Sequence, residues 1–107
     1  MKLVLAIVSN EDSSKVMKSL VKNRYRVTKL ATTGGFLMSG NTTMIIGVEN
    51  HQVDDVLEII KQESSVRTKL VPNSTISEFG LLSTLPIEVK VGGATVFIMD
   101  VEQFIKF

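Results

Sequence analysis

Ten positions, Thr32 to Asn41, hold the densest group of residues able to recognise an anion. Gly34, Gly35 and Gly40 fall within seven positions, interleaved with Thr32, Thr33, Ser39 and Asn41 and followed by Thr42 and Thr43. A hairpin closes with fewer glycines than this. Glycine permits positive φ and lets backbone N–H groups converge on a phosphate, while hydroxyls and an amide add neutral donors. Arg26 and Lys29 lead into the segment, with Thr28 between them, and a guanidinium there suits a phosphate's paired oxygens. Phe36 follows two glycines, where a ring can stack on a base. The combination fits a phosphorylated nucleotide. It also fits a plain surface loop whose threonines suit the adjoining strands. Neither the Walker pattern nor the dinucleotide fingerprint is present, because Gly34-Gly35 is not followed by Gly-Lys-Ser/Thr.

Residues for covalent or acid–base chemistry are scarce. His51 is the only histidine and cysteine is absent, so neither a metal site nor a disulfide framework is expected. The pairs Glu11-Asp12 and Asp54-Asp55 read as helix starts or solvated faces, with nothing to set one carboxylate apart from its neighbour. Ser13 and Ser14 have no base nearby in sequence. The chain is therefore read as a binding protein, not an enzyme, with no cofactor and no metal.

The elements that must position these residues follow from patterning. Leu3 to Val8 is a short apolar, branched run closed at once by Asn10-Glu11-Asp12, so it reads as a buried strand and not a signal peptide. Ser9 to Asp12 opens a helix in which Val16, Met17, Leu20 and Val21 recur at helical spacing, and Asn23 stops it. Tyr25 to Ala31 and Thr42 to Val48 are strands flanking the glycine-rich segment, with Gly47 marking a bulge or a close approach. Asn50 caps a second helix carrying Val53, Val56, Leu57 and Ile60 on one stripe. Arg67 to Val71 reads as a short strand, and Pro72 to Pro86 as a long loop. Ile87, Val89 and Val91 alternate with charges, Gly92-Gly93 reads as a tight hairpin turn, and Ala94 to Met99 as its return strand. Asp100 caps a terminal helical turn through Val101, Phe104 and Ile105.

The order β-α-β-β-α-β predicts an α+β, ferredoxin-like fold: an antiparallel sheet with two helices on one face. The 107 residues suit one domain, 1–107, small enough that oligomerisation would supplement its core. Net charge is +1 and no apolar stretch approaches the roughly 20 residues that span a bilayer, so neither nucleic acid nor membrane insertion is expected. RNA is further disfavoured because the strands lack interleaved aromatics. The absence of cysteine suits a reducing cytoplasm.

Two stretches carry a specific resemblance. Arg26-Val27-Thr28-Lys29-Leu30-Ala31-Thr32-Thr33-Gly34-Gly35-Phe36-Leu37, continued by Gly40-Asn41-Thr42-Thr43 and Gly47-Val48, resembles the PII-like cyclic-di-AMP receptor family. Val89 to Phe97, with Gly92-Gly93 at its centre, resembles that family's second signature, and the similarity runs to Phe107. The resemblance implies a cytoplasmic bacterial signal-transduction protein: a homotrimer with the small-molecule nucleotide ligand cyclic di-AMP in clefts between subunits. By matching position, Arg26 and Thr28 hold phosphate or ribose, Gly35, Phe36 and Leu37 contact a base, Asn41 and Gly47 line the pocket, and Phe97 contributes from the second signature.

Three features depart from the family pattern. Family members usually have asparagine where this chain has Arg24, and they end in His-Gln-Phe where it has Ile105-Lys106-Phe107. That glutamine is a ligand contact, and a cation cannot reproduce an amide's paired donor and acceptor. The segment from Pro72 to Pro86 is shorter than the family's and carries Phe79, Leu81 and Leu82. The implied mechanism has ligand ordering this loop and changing which protein partner, of unknown identity, docks there. The alternative is a diverged paralogue that keeps the trimeric fold without binding cyclic di-AMP, sensing another nucleotide or acting only through protein partners.

Overall fold

The computed structural model describes residues 1–31, 40–72 and 86–107. Its elements are β1 (Lys2–Ser9), α1 (Asn10–Lys22), β2 (Val27–Ala31), β3 (Asn41–Val48), a 3₁₀ turn (Asn50–Gln52), α2 (Val53–Ser64), β4 (Arg67–Pro72), β5 (Pro86–Val91) and β6 (Ala94–Asp100). A four-stranded sheet runs in the order β2-β3-β1-β6 with every pairing antiparallel. Both helices cover one face of it, giving the expected ferredoxin-like α+β arrangement.

Alternation along the strands divides that sheet. Val4, Ala6 and Val8 of β1 and Met44, Ile46 and Val48 of β3 are buried against Val16 and Leu20 of α1 and Val56, Ile59 and Ile60 of α2. Each fully buried aliphatic side chain of this kind contributes about 1.5–3 kcal/mol relative to exposure. The intervening residues, Leu3, Leu5 and Ile7 with Ile45 and Gly47, face the other way and are half-buried or exposed, while Thr43 in the same row is buried.

Helix α1 starts at Ser9, an extended N-cap, with Glu11 and Asp12 near the positive end of its dipole. It stops as expected at Asn23, and the next residue, Arg24, takes φ +68°. Arg24 N–H donates to Val21 O at 2.9 Å and Tyr25 N–H to Leu20 O at 3.0 Å, the paired bonds of a left-handed C-terminal cap. The second helical segment is capped by Glu49, not by Asn50. Glu49 and Gln52 form a reciprocal capping box around the 3₁₀ turn, on which His51 lies exposed.

Four expectations are corrected. Gly92-Gly93 is not a hairpin turn: β5 pairs with β4 in a separate two-stranded ribbon, while β6 pairs with β1. The two glycines, at φ +85° and +88°, form the corner where the chain leaves the ribbon and enters the sheet. A turn and a corner make the same demand for positive φ, so the dipeptide does not distinguish them. The fourth sheet position accordingly belongs to β6, not to the strand that directly follows α2. Asp100 caps no terminal helix, because β6 extends through it and its carboxylate accepts from Lys2 across the strand pair. Residues 101–107 form no helix; Val101 N–H donates to Met1 O at 3.2 Å. Gly47 marks no bulge, since β1–β3 register runs through it unbroken; the irregularity falls in β2, between Lys29 and Ala31.

Candidate functional site

Tyr25 sets the orientation of the residues around it. Its ring packs on the core, and its hydroxyl donates to Asp55 Oδ2 of α2 at 2.5 Å. Alternation then sends Arg26 and Thr28 to the open face of the sheet, with Val27 on the core side. Lys29 pairs with Met44 in the helix-side row, so it stands on the opposite face from Arg26 and does not reinforce it as the sequence suggested.

Arg26 and Thr28 of β2, Ile45 and Gly47 of β3, Met1, and Phe104, Ile105 and Lys106 of the tail enclose a cleft of about 430 Å³. A Cβ built on Gly47 meets nothing nearer than Met1 Cε at 3.9 Å, so glycine there keeps the cleft floor low. Two cations therefore share one recess with a hydroxyl and an apolar wall, and no carboxylate, histidine or cysteine lines it among the described residues. A guanidinium and an ammonium suit phosphate oxygens, and the apolar side chains suit the face of a base. No trio of metal-ligating residues occurs among the described residues.

The other sequence-derived residues lie elsewhere or outside the described chain. Arg24 sits in the turn after α1 and does not line the cleft. Phe97 stands on the open face of β6 in one cross-strand row with Leu5, Ile45 and Thr28, and is 48% exposed. Three strand spacings put it roughly 14 Å from Thr28. Asn41 is six residues along β3 from Gly47, roughly 20 Å away. There it shares a recess of about 320 Å³ with Ile7, Gly92, Gly93, Ala94 and Thr95. Gly35, Phe36 and Leu37 fall outside the described residues, as does most of the loop from Pro72 to Pro86.

Sequence reasoning missed Met1, Ile45, Phe104 and Ile105 as cleft residues. Ile45 was recoverable from alternation with Gly47. The tail was not, because its helical periodicity suggested a helix that does not form.

A second recess, of about 290 Å³, lies between α2 and β6, lined by Leu57, Ile60, Val66 and Val96 among others, with Lys61 the one cation among its described lining residues. It lacks the paired cations and open-face position of the Arg26 cleft, which is the better anion site.

The fold is thus an α+β, PII-like, ferredoxin-like one, with a cationic cleft on the open face of its sheet. A family model described as cyclic-di-AMP receptor matches residues 1–107, and the chain belongs to that family. It is also similar to a solved structure, a functionally unknown protein from Pediococcus pentosaceus ATCC 25745, at 44% identity and a TM-score of 0.80. That similarity covers 99% of this chain and 96% of the other.

Proposed function

We propose that this chain is a non-enzymatic cytoplasmic receptor for cyclic di-AMP, one PII-like domain over 1–107, working as a homotrimer with ligand held between neighbouring copies. The observation that carries the reading is the cleft uniting Arg26, Thr28 and Gly47, three of the residues implied by the family resemblance, with Lys106. Arg26 grips a phosphate, Thr28 adds a hydroxyl bond, and Gly35, Phe36 and Leu37 supply contacts to a base. The separation of Asn41 from this cleft supports an inter-subunit site. One small ligand does not bridge roughly 20 Å along a strand, whereas a neighbouring copy can bring its Asn41 end to the first copy's Arg26 end. The uncovered apolar residues of the open face, Leu3, Leu5, Ile7 and Phe97, give such neighbours a surface to bury. The segment between β4 and β5 is the responsive element that a protein partner reads.

Calorimetry tests this, with cyclic di-AMP as ligand and cyclic di-GMP and ATP as controls, alongside the mass in solution. Binding at one ligand per subunit to a trimer, weakened at least about tenfold by Arg26→Ala, is expected for a charge-assisted phosphate contact. Absence of heat and of thermal shift would reject it. A second reading, a paralogue tuned to another nucleotide, is favoured by Lys106, which lines the cleft and occupies the sequence position where the family usually carries glutamine. Binding of ATP in preference to cyclic di-AMP would select it.

A further inference from the structure

The first turn of α1 is tied to two parts of the chain that are far apart in sequence. On one side, Asn10 N–H donates to Gly40 O at 2.6 Å and Thr42 Oγ1 donates to Asn10 Oδ1, joining the turn to the residues that leave the glycine-rich segment. On the other side, the carboxylate of Asp12 accepts from both arms of the Arg67 guanidinium, at 3.0 and 2.6 Å, and from Ser9 Oγ at 3.1 Å. Lys69 reaches Glu11 at 2.8 Å. Arg67 and Lys69 are two residues apart on β4 and so project from one face of the ribbon.

These bonds matter because, among the described residues, β4 and β5 pair only with each other and share no ladder with the main sheet. The root of the ribbon is pinned by Gly93 N–H to Ser64 O at the glycine corner. The Asp12 side chain is fully buried while Arg67 is 39% exposed. A swing of the ribbon would strip a buried carboxylate of its partner, which is costly unless water enters with the opening. Intermediate positions are therefore disfavoured relative to a docked, dry arrangement or an open, wet one. Gly92 belongs to the same device, since a Cβ there would lie 2.5 Å from Arg67 Nη1.

We infer that the Asp12–Arg67 pair is a latch setting the position of the β4–β5 ribbon, and that the first turn of α1 couples this latch to Gly40–Thr42. The ligand side of this coupling rests on the receptor reading above; the latch itself does not. A ligand that moves Gly40–Thr42 moves Asn10, two residues from Asp12, and biases the ribbon between its states.

The chain has no cysteine, so two labels can be placed cleanly at Lys18→Cys on α1 and Lys90→Cys on β5, both exposed. Spin-label distances are read on full-length protein diluted with unlabelled chains. The native background gives one narrow distance. Arg67→Gln is expected to lose it, and Arg67→Lys, which keeps the charge without the fork, to lose part of it. If Arg67→Gln fails to fold, the Asp12→Asn/Arg67→Gln pair leaves no unpaired charge and serves instead. An unchanged distance in a folded variant would overturn the latch. Thr42→Val removes the hydroxyl bond to Asn10 and is expected to broaden the distance without any ligand; no change there would overturn the coupling. Cyclic di-AMP added to the native protein is expected to shift the distance. Failure to bind counts against the receptor reading alone, whereas binding without a shift counts against the coupling.

Discussion

The body of this protein and its β4–β5 ribbon use similar strands but are held by different forces. In the body, β1 and β3 set Val4, Ala6, Met44 and Ile46 against two helices, and all four are fully buried. In the ribbon, Leu70 and Ile87 are exposed and Val89 is half-buried. Its attachment falls to Arg67, Lys69 and a glycine corner. Apolar burial is non-directional and insensitive to pH, whereas ion pairs depend on geometry, protonation and, at the surface, salt. One fold thus carries a part that resists perturbation and a part that can answer it. The difference sorts the consequences of substitutions.

The largest effect should come from the body. Ile46→Ala removes a fully buried side chain beneath both helices and is expected to cost about 3 kcal/mol in chemical denaturation. A loss under about 1 kcal/mol would mean that the helix-covered face is not the main source of stability. Next comes the corner. Gly92→Ala combines φ +85° with overlap on Arg67 Nη1 at 2.5 Å and on the Ser65 carbonyl at 2.8 Å, both of which must yield. About 2 kcal/mol is expected, with the ribbon displaced. Gly40→Ala is the control: φ is +102° but no atom of the described residues lies within 4 Å, so the backbone term of about 1 kcal/mol is what applies. Equal costs at the two glycines would remove the close approach from the explanation.

Acid should separate the two regions. Arg67's hydrogen bonds hold the Asp12 carboxyl below the usual aspartate range, and Lys69 does the same for Glu11. A depressed folded value means that the stabilisation is present above the unfolded pKa. It is lost as pH falls through the folded value, hence below about pH 4. The ribbon distance from Lys90 to Lys18 should therefore broaden before the body's far-ultraviolet signal falls. Among its described residues the body has one comparable pair, Lys2 with Asp100, at its sheet edge, so its own transition is expected to be shallow and later. Coincident transitions would show that ribbon and body unfold as one unit.

The same division explains what could be read from the chain. The body's elements and its core stripes were legible because alternation and helical spacing are local signals, but the reading that joined Lys29 to Arg26 overlooked that alternation sends them to opposite faces. Sheet order was less legible: nothing within Arg67–Val71 or Ala94–Met99 says which of them completes the sheet. The Asp12–Arg67 pair joins residues 55 apart, and Asp12 in sequence looks like any acidic residue opening a helix. Its place in the first turn of α1 fits the helix start that the sequence suggested, while its burial departs from the solvated face that was the other reading. Lys106 was visible as a departure from the family pattern. Its place beside Arg26 depends on a tail that abandons helical geometry once Asp100 has been claimed by Lys2.

Arg24 yields the smallest predicted effect. Its φ of +68° is a conformation that asparagine adopts more readily than other side chains bearing a Cβ, and asparagine is what the family usually carries at this position. The cap needs the backbone bonds of Arg24 and Tyr25 but nothing from the arginine side chain, for which the described residues include no ion-pair partner. Arg24→Asn is therefore expected to stabilise the body by about 0.5 kcal/mol, a value typical of removing strain at a helix end. The substitution also separates two roles for the family's asparagine. If stability rises while cyclic di-AMP affinity is unchanged, asparagine serves the turn. If affinity rises as well, the amide reaches the ligand and Arg24 is a true alteration of the site.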